Sequence, residues 1–145
     1  MEQIRLGDQI IRYDRERTVN AYSAIKSGDC EECGCLNCRN FAAQRKTVYP
    51  DEFRLLLDQL GIDPEKEAEV CGYGPEVSMM VYEGRFYFAG ELMEPGERMT
   101  DAGSGFQYYF TDGNRLPDAK ADFGNNVLAV EFSTKAPWVI VEQPS

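Results

Sequence analysis

The chain has 145 residues, 15 Lys+Arg against 25 Asp+Glu for a formal net charge of −10, five Cys and no His. A chain of this length buries roughly 70% of its unfolded surface and needs no disulfides for stability. Its charge repels phosphate backbones and argues against non-specific nucleic-acid binding. Without His there is no Ser–His or Cys–His nucleophile pair, no mixed Cys/His zinc finger and no catalytic zinc held by three histidines.

The charge is uneven along the chain. Residues 1–46 hold eight basic and seven acidic residues, and residues 47–145 hold seven and 18. Residues 1–6 lack the apolar core of a signal peptide, and no apolar run approaches the roughly 18 residues of a membrane span. A cytoplasmic protein is expected, folding as one domain over residues 1–145.

In chain order, residues 1–70 read as mainly helical. Asp14 is an N-cap for a helix that places Thr18, Val19, Tyr22 and Ile25 on one side and stops at Gly28. A second helix starts at Leu36 or Asn37, with Cys38, Phe41, Ala42 and Arg45 at helical spacing. Pro50 opens a third, whose stripe is Phe53, Leu56, Leu57 and Leu60. Gly61 followed by Ile62 has the form of a Schellman stop, and Asp63-Pro64 starts a short turn.

Residues 71–145 read as antiparallel strands of period 2. Val77, Met79 and Val81 alternate, Glu83-Gly84 is expected to turn, and Phe86, Phe88 and Leu92 alternate again. A loop over 94–105 follows. Phe106, Tyr108 and Phe110 form the next inward set, ended by Asp112-Gly113-Asn114. Leu128, Val130 and Phe132 form another, and residues 138–141 a last strand. Helices followed by strands predict an α+β fold, N-terminal helices with a Cys-rich metal knuckle and then an antiparallel sheet of about five strands with one wet face.

The chemistry-bearing segment is Cys30-Glu31-Glu32-Cys33-Gly34-Cys35-Leu36-Asn37-Cys38, two C-x-x-C units separated by one glycine. A C-x-x-C turn brings two thiolates to one ion, at about 2.3 Å for Zn–S. Gly34 can take backbone angles closed to other residues, which a reversal between the two turns requires. A helix start at the second pair favours thiolate over thiol. In a reducing compartment clustered Cys points to metal before disulfide. Over these nine residues the segment resembles the knuckles of zinc-ribbon and treble-clef proteins. The metal set is Cys30, Cys33, Cys35 and Cys38. Four ligands within nine residues leave little chain to wrap an ion, so Cys71, followed by Gly72 and Gly74, is the replacement ligand. Structural zinc is the leading reading, because every ligand is soft. An iron–sulfur cluster, a disulfide or redox dithiol, and plain thiols are the alternatives.

Carboxylates at Asp51, Glu52, Glu65, Glu67, Glu69, Glu91, Glu94 and Glu97 read as solvated surface. Arg12, Arg15, Arg17, Lys26, Arg39, Arg45 and Lys46 do not share one helix face and read as surface charges. Three functions compete. The first is a zinc-stabilised, non-enzymatic binding module whose acidic side meets a basic protein, as a toxin-neutralising immunity protein would. The second is a thiol-redox enzyme, and the third a zinc-knuckle nucleic-acid binder.

Overall fold

The computed structural model describes residues 1–76, 79–114 and 122–142; Val77, expected in a strand, lies outside them. The fold is α+β, with five helices and a seven-stranded antiparallel sheet among these residues.

The chain opens with a β-hairpin, β1 (Glu2–Leu6) and β2 (Gln9–Tyr13), with Leu6 opposite Gln9. Gly7 takes a positive φ of 60° in the two-residue turn, the demand of a hairpin that puts glycine first. These two strands were not expected. Their signal is present in Gly7-Asp8 flanked by Ile4, Leu6, Ile11 and Tyr13, but it is short, and the helical pattern beginning at Asp14 overshadows it.

Helices follow: α1 (Arg15–Ser23), α2 (Asp29–Cys33), α3 (Leu36–Ala43), α4 (Arg45–Val48) and α5 (Asp51–Leu60). Asp14 caps α1 through a bond from the Arg17 N–H at 3.0 Å. The helix ends at Ser23, not at Gly28. Gly28 instead precedes α2, where a Cβ would sit 2.6 Å from the Glu65 carbonyl, so this glycine serves close approach and not a helix stop. α5 buries Phe53, Leu56, Leu57 and Leu60 as its periodicity demands. Gly61 is left-handed, and the Ile62 N–H reaches the Leu57 carbonyl at 2.9 Å, closing the Schellman pattern.

The remaining strands are β3 (Glu69–Glu76), β4 (Met79–Glu94), β5 (Thr100–Asp101), β6 (Gln107–Asp112) and β7 (Val127–Pro137). The order is β1-β2-β4-β7-β6-β5, with β3 also pairing β4. β4 organises the sheet. One edge pairs β7 over Met79 to Ala89, and the other is shared by β3, ending at Glu69↔Arg85, and β2, from Tyr13↔Gly90. Two expectations fail here. Glu83-Gly84 is not a turn but mid-strand: a Cβ on Gly84 would lie 2.6 Å from Phe132 Cζ, so the glycine makes room for a ring on β7. Residues 138–141 are not a strand. Val141 is 92% exposed, and the Val139 N–H is taken by Asn40 Oδ1 at 2.7 Å. The expected five strands therefore become seven: the last is lost, the two expected on either side of Glu83-Gly84 merge into the long β4, and the two strands of the N-terminal hairpin, β3 and β5 are gained.

Buried Gln9 ties β2 to β6 across the fold. Its amide nitrogen donates to the Phe110 and Pro95 carbonyls, and its oxygen accepts from the Phe110 N–H, each at 2.8 Å. One side chain thus supplies β6 with the donor and acceptor of a neighbouring strand. The core between sheet and helices is aromatic. Phe53 contacts Phe106 (4.8 Å between centroids) and Tyr108 (5.1 Å), and Phe106 stacks on Phe132 at 5.5 Å. Phe41 and Tyr49 complete the cluster on the helix side. Tilted and edge-on ring pairs of this kind add to area burial.

Candidate metal centre

The cysteine segment is a helix–turn–helix. Cys30 and Cys33 belong to α2, Gly34 reverses the chain at φ 66°, and Cys35 is the N-cap of α3. The two features expected of the segment, a left-handed Gly34 and a helix starting at the second pair, are both present. Cys35 Sγ accepts the Cys38 N–H at 3.4 Å, so the cap of α3 is a sulfur.

The Sγ atoms of Cys33, Cys35 and Cys38 all lie within 4.8 Å of one another and can hold a metal ion. Four sulfurs placed tetrahedrally at about 2.3 Å from a zinc are ~3.8 Å apart, so the three need only a small closure. Cys33 and Cys35 face solvent, while Cys30 and Cys38 are buried; all five cysteines are free thiols. Cys30 lies outside this group of three, although its buried thiol interacts with that of Cys38. Cys71 stands apart on β3, with its thiol 3.4 Å from Glu69 Oε1 and its backbone opposite Glu83.

The electrostatics of Cys30, Cys38 and Cys35 differ. Burial pushes the Cys30 thiol far above its ordinary value, and the Glu67 carboxylate adds to this. Burial also raises Cys38, helped by its bonds with Cys35 and Cys33. For Cys35, burial opposes ionisation, but donors from the Cys38 N–H, the Cys33 and Cys38 thiols and the Asn37 N–H outweigh it and hold the thiol below its usual value. A bound cation reverses the sign of such neighbour effects and deprotonates the thiols it coordinates.

Residues outside the cluster hold it in place. Glu67, read as solvated surface, has a side chain with 0% exposure, and Arg45, read as a surface charge, has 9%. Arg45 grips Glu31 of α2 with two bonds of 2.9 Å and Glu67 with one of 2.8 Å. Glu67 Oε1 also accepts the Cys30 N–H at 3.1 Å, and the Glu67 carbonyl accepts the Asp29 N–H at 3.0 Å. The start of α2, which has no side-chain cap of its own, is therefore capped from the segment leading to β3. Burial raises Glu67 despite Arg45, and for Arg45 the two carboxylates outweigh burial and hold it protonated.

α3 is fixed from its other side. The Tyr82 hydroxyl donates to the Asn37 carbonyl (2.9 Å), Asn37 Nδ2 donates to the Gly72 carbonyl (3.3 Å), and Asn40 Nδ2 donates to Tyr82 Oη and the Pro137 carbonyl (3.0 Å each). A Cβ on Gly72 would meet Tyr82 at 2.8 Å and Asn37 at 3.0 Å, so glycine lets α3 lie directly on β3. None of Glu67, Arg45, Asn37, Asn40 or Tyr82 carries a local signal of this role; each partner is 14 or more residues away.

The other basic residues are dispersed. Arg17 pairs with Asp122 at 2.8 Å, Arg39 with Glu142 at 3.1 Å and Arg15 with Asp58 at 3.8 Å. No helix among the described residues is long and apolar enough to cross a membrane. Comparison of the chain with protein-family models, curated proteins and solved structures returns no match.

Proposed function

We infer that this is a non-enzymatic, zinc-stabilised protein-interaction module of the cytoplasm. The observation that carries the reading is the gathering of Cys33, Cys35 and Cys38; Cys30, whose thiol interacts with that of Cys38, is the fourth ligand of this proposal. An all-sulfur set leaves no open position for a water or substrate, which is the pattern of a structural site. The sequence supplies no His to act beside a metal-bound water. Zinc joins α2 to α3, and Arg45, Glu67 and Asn37 pass that constraint to the sheet. The free energy of metal binding then becomes folding free energy.

The partner is a protein with a basic surface. The open face of the sheet carries Glu69, Cys71, Tyr73 and Glu83 beside Glu131, with Arg85 paired to Glu69 at 2.9 Å. Carboxylates outnumber cations there, which suits recognition of a basic partner as a small immunity-type inhibitor would practise it. Glu83→Lys with Glu131→Lys should weaken capture of such a partner at low salt.

One observation favours a second reading, a thiol-redox enzyme: Cys35 is exposed, held below the usual thiol value and close to Cys33 and Cys38. Elemental analysis combined with alkylation separates the two. One zinc per chain is expected, with Cys30, Cys33, Cys35 and Cys38 protected from iodoacetamide until a strong chelator is added. The chelator should also lower the melting temperature, and Cys38→Ser should reproduce that loss while Cys71→Ser leaves the metal content unchanged. Purified protein without metal, with Cys35 alkylated at once, would reverse the order of the two readings.

A further inference from the structure

A second site lies on the helix side of the fold. α4, the start of α5 and the turn at Asp63-Pro64 enclose a cavity of about 220 Å³, walled by Arg45, Lys46, Tyr49 and Arg54 and rimmed by Asp63 and Glu65. This is below the roughly 300–1,000 Å³ of pockets that take drug-sized ligands.

The wall is made of donors with nothing to donate to. Among the described residues, Tyr49 Oη, Arg45 Nε and Arg54 Nη2 are buried without a hydrogen-bond partner. Tyr49 is only 3% exposed, and Arg45 is 8%. Buried polar groups are nearly always paired, and these three unmet donors belong to residues that line one cavity; Glu67 Oε2, on the ion-pair partner of Arg45, is the one unmet acceptor beside them. The other atoms of these side chains are committed. The Nη atoms of Arg45 hold Glu31 and Glu67, and Arg54 Nε donates to the Tyr49 carbonyl at 3.1 Å. That last bond ties the Arg54 guanidinium to the backbone of Tyr49. Arg45 is matched by two carboxylates, whereas no described carboxylate lies within ion-pairing distance of Arg54. Lys46 is exposed on the same wall.

Two guanidinium groups and a phenol, all offering N–H or O–H, match a ligand that only accepts. The rim sets the charge. Asp63 takes the Glu65 N–H at 3.0 Å and stands 3.7 Å from Lys66, and its negative charge with that of Glu65 disfavours a multiply charged ligand. We propose that the cavity formed by Arg45, Lys46, Tyr49 and Arg54 is a binding site for a small singly charged oxyanion, a carboxylate or a phosphate. Its oxygens take the Tyr49 hydroxyl and the inward N–H groups of Arg45 and Arg54, and Lys46 draws it to the mouth. This site does not depend on the metal reading of the cysteines.

The test is calorimetric titration of the full chain as purified with sodium acetate and with inorganic phosphate at about pH 6, where phosphate is mainly the monoanion, each against sodium chloride at equal ionic strength. Saturable one-site binding of at least one ion is expected. The preferred ion tells a planar carboxylate from a tetrahedral phosphate. Tyr49→Phe removes only an unpaired hydroxyl, so it should melt no lower than the parent while weakening the ion about fivefold or more. Arg54→Met should abolish binding, and because Arg54 is only half-buried it serves even if Tyr49→Phe fails to fold. No saturable heat with either ion, or unchanged affinity in Arg54→Met, overturns the proposal.

Discussion

Replacing Arg45 by Met tests whether the cysteine segment is anchored as described. Arg45 is the common partner of half-exposed Glu31 and fully buried Glu67. Its removal leaves the Glu67 carboxylate without a counter-charge, and breaking one side of a buried pair costs about 3–5 kcal/mol. The lost Glu31 contacts add up to ~1 kcal/mol, because that carboxylate is near water. Most of the loss is therefore the stranded charge, and removing the charge should recover it. Arg45→Met with Glu67→Gln is expected to lie within about 2 kcal/mol of the parent, a coupling of ~2 kcal/mol or more between the two sites. Urea unfolding followed by circular dichroism and by the fluorescence of Trp138, the single tryptophan, reads both stabilities. At a slope of about 1–3 kcal/mol per molar urea, the single substitution should move the midpoint by roughly 1 M or more. Arg45→Lys should fall between, since an ammonium keeps the charge but cannot reach two carboxylates with a planar fork. A loss below about 1 kcal/mol for Arg45→Met, or a double variant no better than the single one, would refute this account.

Gln9→Ala unpairs the N–H and carbonyl of Phe110 and should cost about 2–4 kcal/mol, with hydrogen exchange at Phe110 rising before that of β7; exchange unchanged at Phe110 would count against the clamp. Gly84→Ala places a methyl against Phe132 and the Glu69 carbonyl and should cost roughly 1–3 kcal/mol by thermal melting; a neutral result would mean that Phe132 moves aside freely. Asp8 is held below the usual carboxylate range, first by the Glu97 N–H, which reaches it at 2.7 Å. A carboxylate depressed in the folded state gives stability that is present above its unfolded pKa and lost as pH falls through the folded one. Asp8→Asn should therefore flatten the fall of melting temperature below about pH 4, and parallel acid limbs for the two proteins would contradict that assignment.

Local patterns carried much of the architecture. Capping by Asp14, the stripe on α5, the stop at Gly61-Ile62 and the reversal at Gly34 each depend on neighbours within a few residues, where backbone geometry is settled by side-chain type. The strands with clean alternation, β6 and β7, were legible for the same reason. Two of the errors share a cause. Gly84 and Gly28 have the signature of a turn and a helix stop, but both are glycines because something distant, Phe132 or the Glu65 carbonyl, leaves no room for a Cβ. Glycine's two uses, conformational freedom and close approach, look alike in one dimension.

The cysteine site divides along the same line. Its residue types and their spacing are properties of nine consecutive residues, so a cysteine cluster able to hold a metal without His was readable from composition and order. Which thiols converge is a matter of three-dimensional distance: Cys33, Cys35 and Cys38 form the group, Cys30 lies against Cys38, and Cys71 sits on a different strand beside Glu69. The reversal of Glu67 and Arg45 from surface charges to a buried pair is tertiary as well. A charge can leave water only where an opposite charge and hydrogen-bond donors meet it, and here they come from α2, α4 and the approach to β3. Charge and cysteine count bounded the chemistry; the packing of α2 and α3 against β3 decided which residues carry it.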